Sequence, residues 1–157
     1  MENLLQVYYT SVVGGFAEER RILMEKRLKK ENFYRKLFLV VALYDFILGL
    51  IFFVFWQFIF DHILKIPQPN YPAFYQAAAA FIFTMGIGFY FVYRNLYRNI
   101  DIVKTGIFFK LFYAGISFYY VFVEKMPWLF SVFGFLDLIF IVFFIFFLRA
   151  VSREVSA

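Results

Sequence analysis

Three ionisable residues stand inside otherwise apolar stretches of the sequence: Asp45, Lys110 and Asp137. An ionised side chain near the centre of a bilayer costs about 2.5 to 3.5 kcal/mol, so such residues are usually paired, hydrated or functional. Counted at about 1.5 Å per helical residue from the stretch ends that lie beside the basic residues, the three lie roughly 12, 8 and 16 Å deep. These depths predict that the side chains form one intramembrane polar cluster.

The composition of this cluster leaves two interpretations open. It has two carboxylates and one ammonium, so the surplus carboxyl suits a proton or cation step. Alternatively, Lys110 bridges Asp137 and Asp45 in a structural ion pair that holds three helices together, or extends to headgroups at the membrane surface. We favour the structural pair, because one lysine and two aspartates are a small set for transport or catalysis.

A second set of polar residues lies near the opposite ends of the same stretches. It comprises Gln57, His62, Gln76 and Glu124, with Asp61 beside the histidine. Their side chains suit hydrogen bonding to a lipid headgroup or a quinone carbonyl, which makes them a candidate external-side pocket. Loop polarity alone also explains Asp61, His62 and Glu124.

Other kinds of chemistry find no support in the sequence. The chain has no cysteine and a single histidine, which argues against thiolate and multi-histidine metal sites. No run of residues matches a catalytic or cofactor motif, so we assign no catalytic residue, no metal and no cofactor, and we favour a protein that is not an enzyme. The net charge of +5 does not indicate nucleic-acid binding, because the basic residues lie beside membrane ends.

Four long apolar stretches must position these residues. They cover about residues 37–60, 73–93, 105–123 and 128–148, in a chain of 157 residues that is 64% hydrophobic. A helix needs about 20 apolar residues to cross a bilayer, so each stretch is long enough. Short connections favour antiparallel neighbours. The sequence therefore predicts an all-α polytopic membrane protein, an antiparallel four-transmembrane-helix bundle.

Basic residues are concentrated at one set of stretch ends. They occupy positions 20, 21, 26, 27, 29, 30, 35 and 36 before the first stretch, 94, 98 and 104 between the second and third, and 149 and 153 after the fourth. The first and third loops contain only Lys65 and Lys125. The positive-inside rule then predicts that both termini are cytoplasmic, in the cytoplasmic (inner) membrane of a bacterium.

The segment before the bundle, residues 1–36, has its own pattern. Gly14 and Gly15 predict a break or hinge. From Ala17 to Tyr34 there is no Pro or Gly, and apolar residues alternate with charged ones in a loosely helical pattern. We expect an amphipathic helix on the cytoplasmic membrane surface, or alternatively a docking arm for a partner. Residues 149–157 are expected to form a cytoplasmic tail.

Small and polar residues predict which helix faces point inward, because helices in lipid associate through such residues. The third stretch has Gly106, Lys110, Ala114 and Ser117 on one side, and the second has Gln76, Ala80, Thr84 and Gly88. In the first and fourth stretches, Gly49 and Gly134 lie about one turn from Asp45 and Asp137. Close helix approach and inward-pointing charges are expected at these positions.

Several segments together resemble the DoxX-like four-helix bacterial membrane proteins. The residues that carry the likeness are LYDFILGLIFF, IPQPNYPAFYQ, GIGFYFVYRN, GIFFKL and PWLFSVFGFLDLIFI, covering about Ala42 to Arg149. The resemblance implies the same four-helix fold and no particular activity. Some relatives are associated with quinone-linked sulfur oxidation, but no redox centre is evident in this sequence and that role is not carried over.

The function that the sequence favours is that of a non-enzymatic integral membrane protein. It would be an accessory subunit of a membrane assembly or a module that binds lipid or an apolar ligand. The alternatives are proton or cation transport by Asp45, Lys110 and Asp137, and an enzyme acting on a lipid-soluble substrate such as a quinone, with Asp137 as acid or base. The expected partners are membrane lipids, other membrane subunits or further copies of the chain.

Overall fold

All the regular structure in the described part of the chain is helical. The computed structural model describes the backbone of residues 2–155 and the side chains of residues 18–152. In chain order the elements are α1 (Glu2–Val54), α2 (Trp56–Phe58), a π-helical segment (Ile59–Leu64), α3 (Pro72–Arg94), α4 (Ile100–Phe122) and α5 (Leu129–Val155). The predicted all-α fold is confirmed.

Four of these helices are long and apolar enough to cross a membrane. They are Glu18–Val54 within α1, α3, α4, and Leu129–Ser152 within α5. The chain therefore has the makeup of an integral membrane protein. The direction in which each helix crosses a membrane stays a prediction.

The chain divides into two compact units, one ending at Tyr34 and the other beginning at Arg35. In the first unit, α1 runs through Gly14 and Gly15 without interruption, so the predicted break is wrong. Glycine costs a helix about 1 kcal/mol but does not remove its hydrogen bonds. The side chains of residues 1–17, and those of the predicted tail from 153 onward, lie outside the described residues.

In the described part of the first unit, charged side chains pair along the helix. Arg21 lies 3.7 Å from both Glu18 and Glu25, at i,i+3 and i,i+4 spacing, and all three side chains are exposed. Leu23 and Leu28 are exposed as well. Pairs of this kind contribute only a few tenths of a kcal/mol each.

In the second unit each long helix buries one stripe of residues, spaced three or four apart. The stripes are 38, 41, 42, 45, 49 and 52 in α1; 79, 82, 86, 89 and 92 in α3; 103, 106, 110, 114 and 117 in α4; and 134, 137, 141, 144, 147 and 151 in α5. This spacing places every member of a stripe on the same helix face. The core therefore lies where the four stripes meet.

Two glycines let α1 and α3 come into backbone contact. A Cβ atom on Gly86 would lie 2.5 Å from the backbone nitrogen of Phe46, and one on Gly49 would collide with the backbone of Phe83. The contacts pair a later residue of α1 with an earlier residue of α3, so these two helices run in opposite directions. Small residues thus set the closest helix approach, as expected in lipid.

The inward face predicted for α3 is wrong, whereas the face predicted for α4 is correct. All four predicted positions of α4 are buried. In α3 the buried stripe includes Ala79 and Gly86, and Thr84 is exposed instead. The Thr84 hydroxyl donates to the Ala80 carbonyl at 2.8 Å, which satisfies it without a partner helix. Because small residues occur on both sides of α3, they could not identify its inward face.

The end of the first apolar stretch also differs from the prediction. The α-helix stops at Val54, and a π-helical segment carries the chain on to Leu64, so the connection to α3 begins at Lys65 rather than Asp61. Lys65 adopts the left-handed conformation, and the Ile66 amide donates to the Phe60 carbonyl at 3.2 Å. This arrangement is a common way to end a helix.

Candidate functional site

Lys110 lies at the centre of the buried polar cluster. Its ammonium donates to Asp45 Oδ1 at 2.9 Å and to Asp137 Oδ1 at 2.7 Å, so it links α4 to α1 and to α5. The exposed fractions of Lys110, Asp45 and Asp137 are 1%, 2% and 4%. The structure thus brings together the three ionisable residues of the apolar stretches, and their hydrogen bonds partly offset the cost of burying them.

Small residues make room for the cluster. A Cβ on Gly106, one turn before Lys110, would lie 2.5 Å from the ring of Phe89. A Cβ on Gly134, about one turn before Asp137, would lie 3.3 to 3.5 Å from side-chain atoms of Phe118 and Ser117. Larger side chains at these glycines would hold α4 away from its neighbours and would lengthen the ion pairs.

Aromatic rings surround the remaining sides of the ammonium. Lys110 Nζ lies 5.4 Å from the ring centroid of Tyr44, 5.7 Å from that of Phe89 and 5.3 Å from that of Phe140. Rings attract a cation that lies within about 6 Å of their centroids. Two carboxylates and three rings therefore surround the ammonium of this lysine.

Four phenylalanines, here called the phenylalanine cluster, fill the core beside the polar cluster. Phe38, Phe89, Phe144 and Phe147 are fully buried. The ring of Phe38 lies 5.2 Å from that of Phe144 and 5.0 Å from that of Phe147, centroid to centroid. Phe38 and Phe144 are seven residues from Asp45 and Asp137, respectively. The phenylalanine cluster therefore lies about two helical turns from the polar cluster, on the side of the C-terminus of α3.

Two atoms in or beside the polar cluster have no hydrogen-bond partner among the described residues. These are Asp45 Oδ2 and the hydroxyl of neighbouring Tyr44. Because Lys110 supplies one positive charge to two carboxyl groups, the cluster carries a surplus negative charge unless it holds a proton. It can therefore act as an ion pair across three helices or as a site for one proton.

A cavity of about 190 Å³, here called the lateral cavity, opens on the opposite side of the polar cluster from the phenylalanine cluster. Its lining residues include Phe52, Tyr75, Ala78, Ile116 and Tyr120. Ala78, Ile116 and Tyr120 are exposed, so the entrance lies between α3 and α4. Because the entrance lies partway along two membrane-compatible helices, it faces hydrocarbon when the helices cross a bilayer.

The inner wall of the lateral cavity approaches the polar cluster. Tyr113 and Ser117 line the cavity, and both lie on α4 after Lys110. Tyr113 is one turn after Lys110 on this helix. The hydroxyl of Tyr75 is buried without a described partner. The surface that a ligand in the lateral cavity would touch is therefore almost entirely carbon, and the polar atoms of the lining residues lie behind it.

No described hydrogen bond joins the residues of the predicted external-side pocket to one another. Gln57, His62 and Glu124 are exposed, whereas Gln76 is half-buried. Gln76 donates to the Phe53 carbonyl at 3.5 Å, and the His62 ring stacks on Phe58 with centroids 4.7 Å apart. None of the four lines the lateral cavity.

Asp61 has a local partner as well. Gln68 donates to both of its carboxylate oxygens at 2.9 Å. These hydrogen bonds tie Asp61 to the connection between the first two spans. Among the described residues, no three of His, Cys, Asp or Glu lie close enough together to hold a metal ion.

Sequence reasoning missed the residues that line the lateral cavity. A usable signal was present, since Tyr75, Ala79 and Ile82 share one face of α3 at helical spacing. Within the run Ala77 to Ala80, however, composition does not tell which alanines face the core. The neighbouring aromatic residues did not help, because phenylalanine occurs on every face of these helices.

No protein-family model, curated protein or solved structure matches the chain. The resemblance to DoxX-like proteins therefore stays a prediction. Four helices able to span a membrane, a buried charged cluster and a lateral cavity are the observations from which a function can be inferred.

Proposed function

We propose that the protein is a non-enzymatic integral membrane protein that binds the hydrocarbon part of a lipid-soluble ligand in the lateral cavity. The observation that carries this proposal is the cavity itself, whose volume is about 190 Å³ and whose accessible wall is apolar. An engineered apolar cavity of about 150 Å³ stays free of water and binds benzene. The lateral cavity therefore has room for a ring or a segment of an acyl chain.

The position of the entrance supports a ligand that arrives from the membrane. Ala78 on α3 and Ile116 on α4 flank it, and both are exposed on apolar helices. A ligand dissolved among lipid tails can enter sideways without crossing a polar surface. A ligand gains little hydrophobic free energy when it moves from lipid into the cavity. Its affinity must therefore come from close packing against the rings of Phe52 and Phe130.

The same geometry favours binding over acid–base catalysis by Asp137. That side chain is hydrogen-bonded to Lys110 and does not line the lateral cavity. A general acid or base must come within hydrogen-bond reach of its substrate. A ligand in the lateral cavity meets carbon atoms instead.

The membrane and its partners are part of the proposal. We place the chain in the cytoplasmic membrane of a bacterium with both termini cytoplasmic. This placement is supported by the exposed Lys36, Arg94 and Arg149, which flank the apolar stretches on the side predicted to be cytoplasmic. Membership of the DoxX-like group would agree with this placement. A role as accessory subunit of a larger assembly is the alternative, and a co-purifying protein would favour it.

Native mass spectrometry of protein purified in mild detergent tests ligand binding. We expect wild type to retain lipid or another apolar molecule. Ala78→Trp, which places an indole at the entrance, is expected to lose it. Ala77→Trp is the matched control, because Ala77 is also exposed but does not line the cavity. Equal retention by both variants, or no bound molecule in wild type, would contradict the proposal.

Proton or cation transport is the second candidate function. The observation in its favour is the surplus carboxyl, with Asp45 Oδ2 lacking a partner among the described residues. Reconstitution in liposomes tests it: transport predicts a flux above that of empty liposomes, and Asp137→Asn is expected to abolish this flux in folded protein. A flux that Asp137→Asn leaves intact would rule out the assigned residue.

A further inference from the structure

A second apolar depression, here called the α1–α3 groove, runs between α1 and α3. Its volume is about 240 Å³, and its lining includes Leu39, Ala42, Leu43, Gly86 and Tyr90. Ala42 and Gly86 form its floor, where the two helix backbones come together. No ionisable side chain of the polar cluster lines it, so the groove is separate from the site already described.

Two basic side chains stand at one end of this groove. Lys36 is one turn before Leu39 on α1, and Arg94 is one turn after Tyr90 on α3, so each continues a helix face that lines the groove. Both side chains are exposed. No carboxylate among the described residues pairs with either of them.

Hydrogen bonds from the neighbouring Arg35 side chain connect this part of α1 with the end of α3. Arg35, which precedes Lys36, donates from Nη1 to the Tyr93 carbonyl at 3.3 Å and to the Arg94 carbonyl at 3.4 Å. The start of the second unit therefore touches the end of α3. Lys36 and Arg94 therefore stand at the same end of the groove.

We propose that the α1–α3 groove is a binding site for an anionic phospholipid, with an acyl chain in the groove and the phosphate between Lys36 and Arg94. The charge of the phosphate complements the two cations, and the apolar channel below them has the direction of a lipid tail. A basic group near a membrane surface attracts an anionic headgroup by about 1 kcal/mol. Arginine adds a planar pair of donors that matches phosphate oxygens.

The test uses delipidated protein in mild detergent, titrated with dioleoylphosphatidylglycerol or dioleoylphosphatidylcholine and followed by native mass spectrometry. We expect wild type to bind the anionic lipid more tightly than the zwitterionic one. Removing both cations, with Lys36→Gln and Arg94→Gln, is expected to weaken phosphatidylglycerol binding by about 30-fold. The control variant, Arg98→Gln with Arg149→Gln, removes equal charge from the same set of helix ends and is expected to change much less.

A second pair of variants tests the apolar half of the site. Leu43 and Ile47 lie one turn apart on α1 and are 50% and 51% exposed, but only Leu43 lines the groove. Leu43→Trp is expected to reduce phosphatidylglycerol binding strongly, whereas Ile47→Trp leaves it near the wild-type level. Both variants keep the lateral cavity intact, so a failure here is independent of the function proposed for that cavity.

Three outcomes would overturn the proposal. The first is equal binding of the two lipids by wild type, and the second is equal binding by Leu43→Trp and Ile47→Trp. The third is a wild-type dimer in delipidated detergent that Leu43→Trp converts to a monomer, because the groove would then hold a second copy of the chain. Circular dichroism of each variant establishes that it is folded before binding is measured.

Discussion

Lys110 donates a hydrogen bond to Asp137 at 2.7 Å between α4 and α5, where both side chains are buried. Two opposite charges attract strongly at this distance, but removing them from water offsets most of the gain. The pair therefore contributes little net stability while making the loss of one partner costly. Because Lys110 also donates to Asp45, the unit of stability is three residues rather than two.

Lys110→Met is expected to lower the free energy of unfolding by about 3–5 kcal/mol, because it leaves two buried carboxyl groups without their cation. Denaturant unfolding in mild detergent, followed by circular dichroism, measures the change. Lys104→Met is the matched control, since Lys104 forms an exposed pair with Asp101 at 2.8 Å. Exposed pairs contribute less than about 1 kcal/mol. Similar losses in the two variants would mean that the buried ion pairs contribute no more to stability than the exposed pair does.

Replacing the buried pair alone is expected to restore only part of this loss. Lys110→Met with Asp137→Leu still leaves Asp45 buried without a cation, whereas adding Asp45→Leu replaces the whole unit by apolar residues. Such replacements are often neutral or stabilising. The triple variant should therefore unfold at a higher denaturant concentration than the double variant. If the double variant is already as stable as the triple, Asp45 is not part of the unit.

The sequence was sufficient to predict the helices and the meeting of Asp45, Lys110 and Asp137. Both predictions follow from one physical cost, because hydrocarbon accepts neither unpaired backbone groups nor unpaired charges. The cost of exposing a polar group is large and local, so a single residue can indicate where it must point. On α4 this cost also identified the correct buried face.

Other features depend on small energy differences that a single sequence does not specify. The end of α1 at Val54 has no proline or glycine to mark it, and Gly14 and Gly15 mark a break that is absent. Polar residues near the ends of spans can form their hydrogen bonds with residues close in sequence, as Asp61 does with Gln68. For this reason their residue types are not sufficient to predict whether they share a pocket, and the lateral cavity lies among mainly apolar residues.

Gly86→Ala is expected to destabilise the protein, because the new methyl group would lie 2.5 Å from the Phe46 backbone nitrogen and would push α1 and α3 apart. Gly115→Ala is the control, since a Cβ there meets nothing within 4 Å. Replacing an unneeded helical glycine gains up to about 1 kcal/mol of helix propensity. The two variants should therefore shift the unfolding midpoint in opposite directions. A shift in the same direction for both would mean that helix contact at Gly86 does not limit stability.

Phe144→Ala is expected to cost about 3–5 kcal/mol, because it removes a ring from the phenylalanine cluster and leaves a cavity that the neighbouring rings cannot close. Phe146→Ala, two residues away, removes the same atoms from the outer surface. Phe144 is 0% exposed and Phe146 is 53% exposed, so the second loss faces lipid. Lipid tails can fill the space left at the surface, and the transfer between protein and hydrocarbon is nearly neutral. Unfolding in bicelles should show a large loss for Phe144→Ala and a small one for Phe146→Ala. Equal losses would mean that burial within the bundle does not determine how much a ring contributes to stability. A larger loss for Phe146→Ala than for Phe144→Ala would mean that Phe146, rather than Phe144, lies in the core.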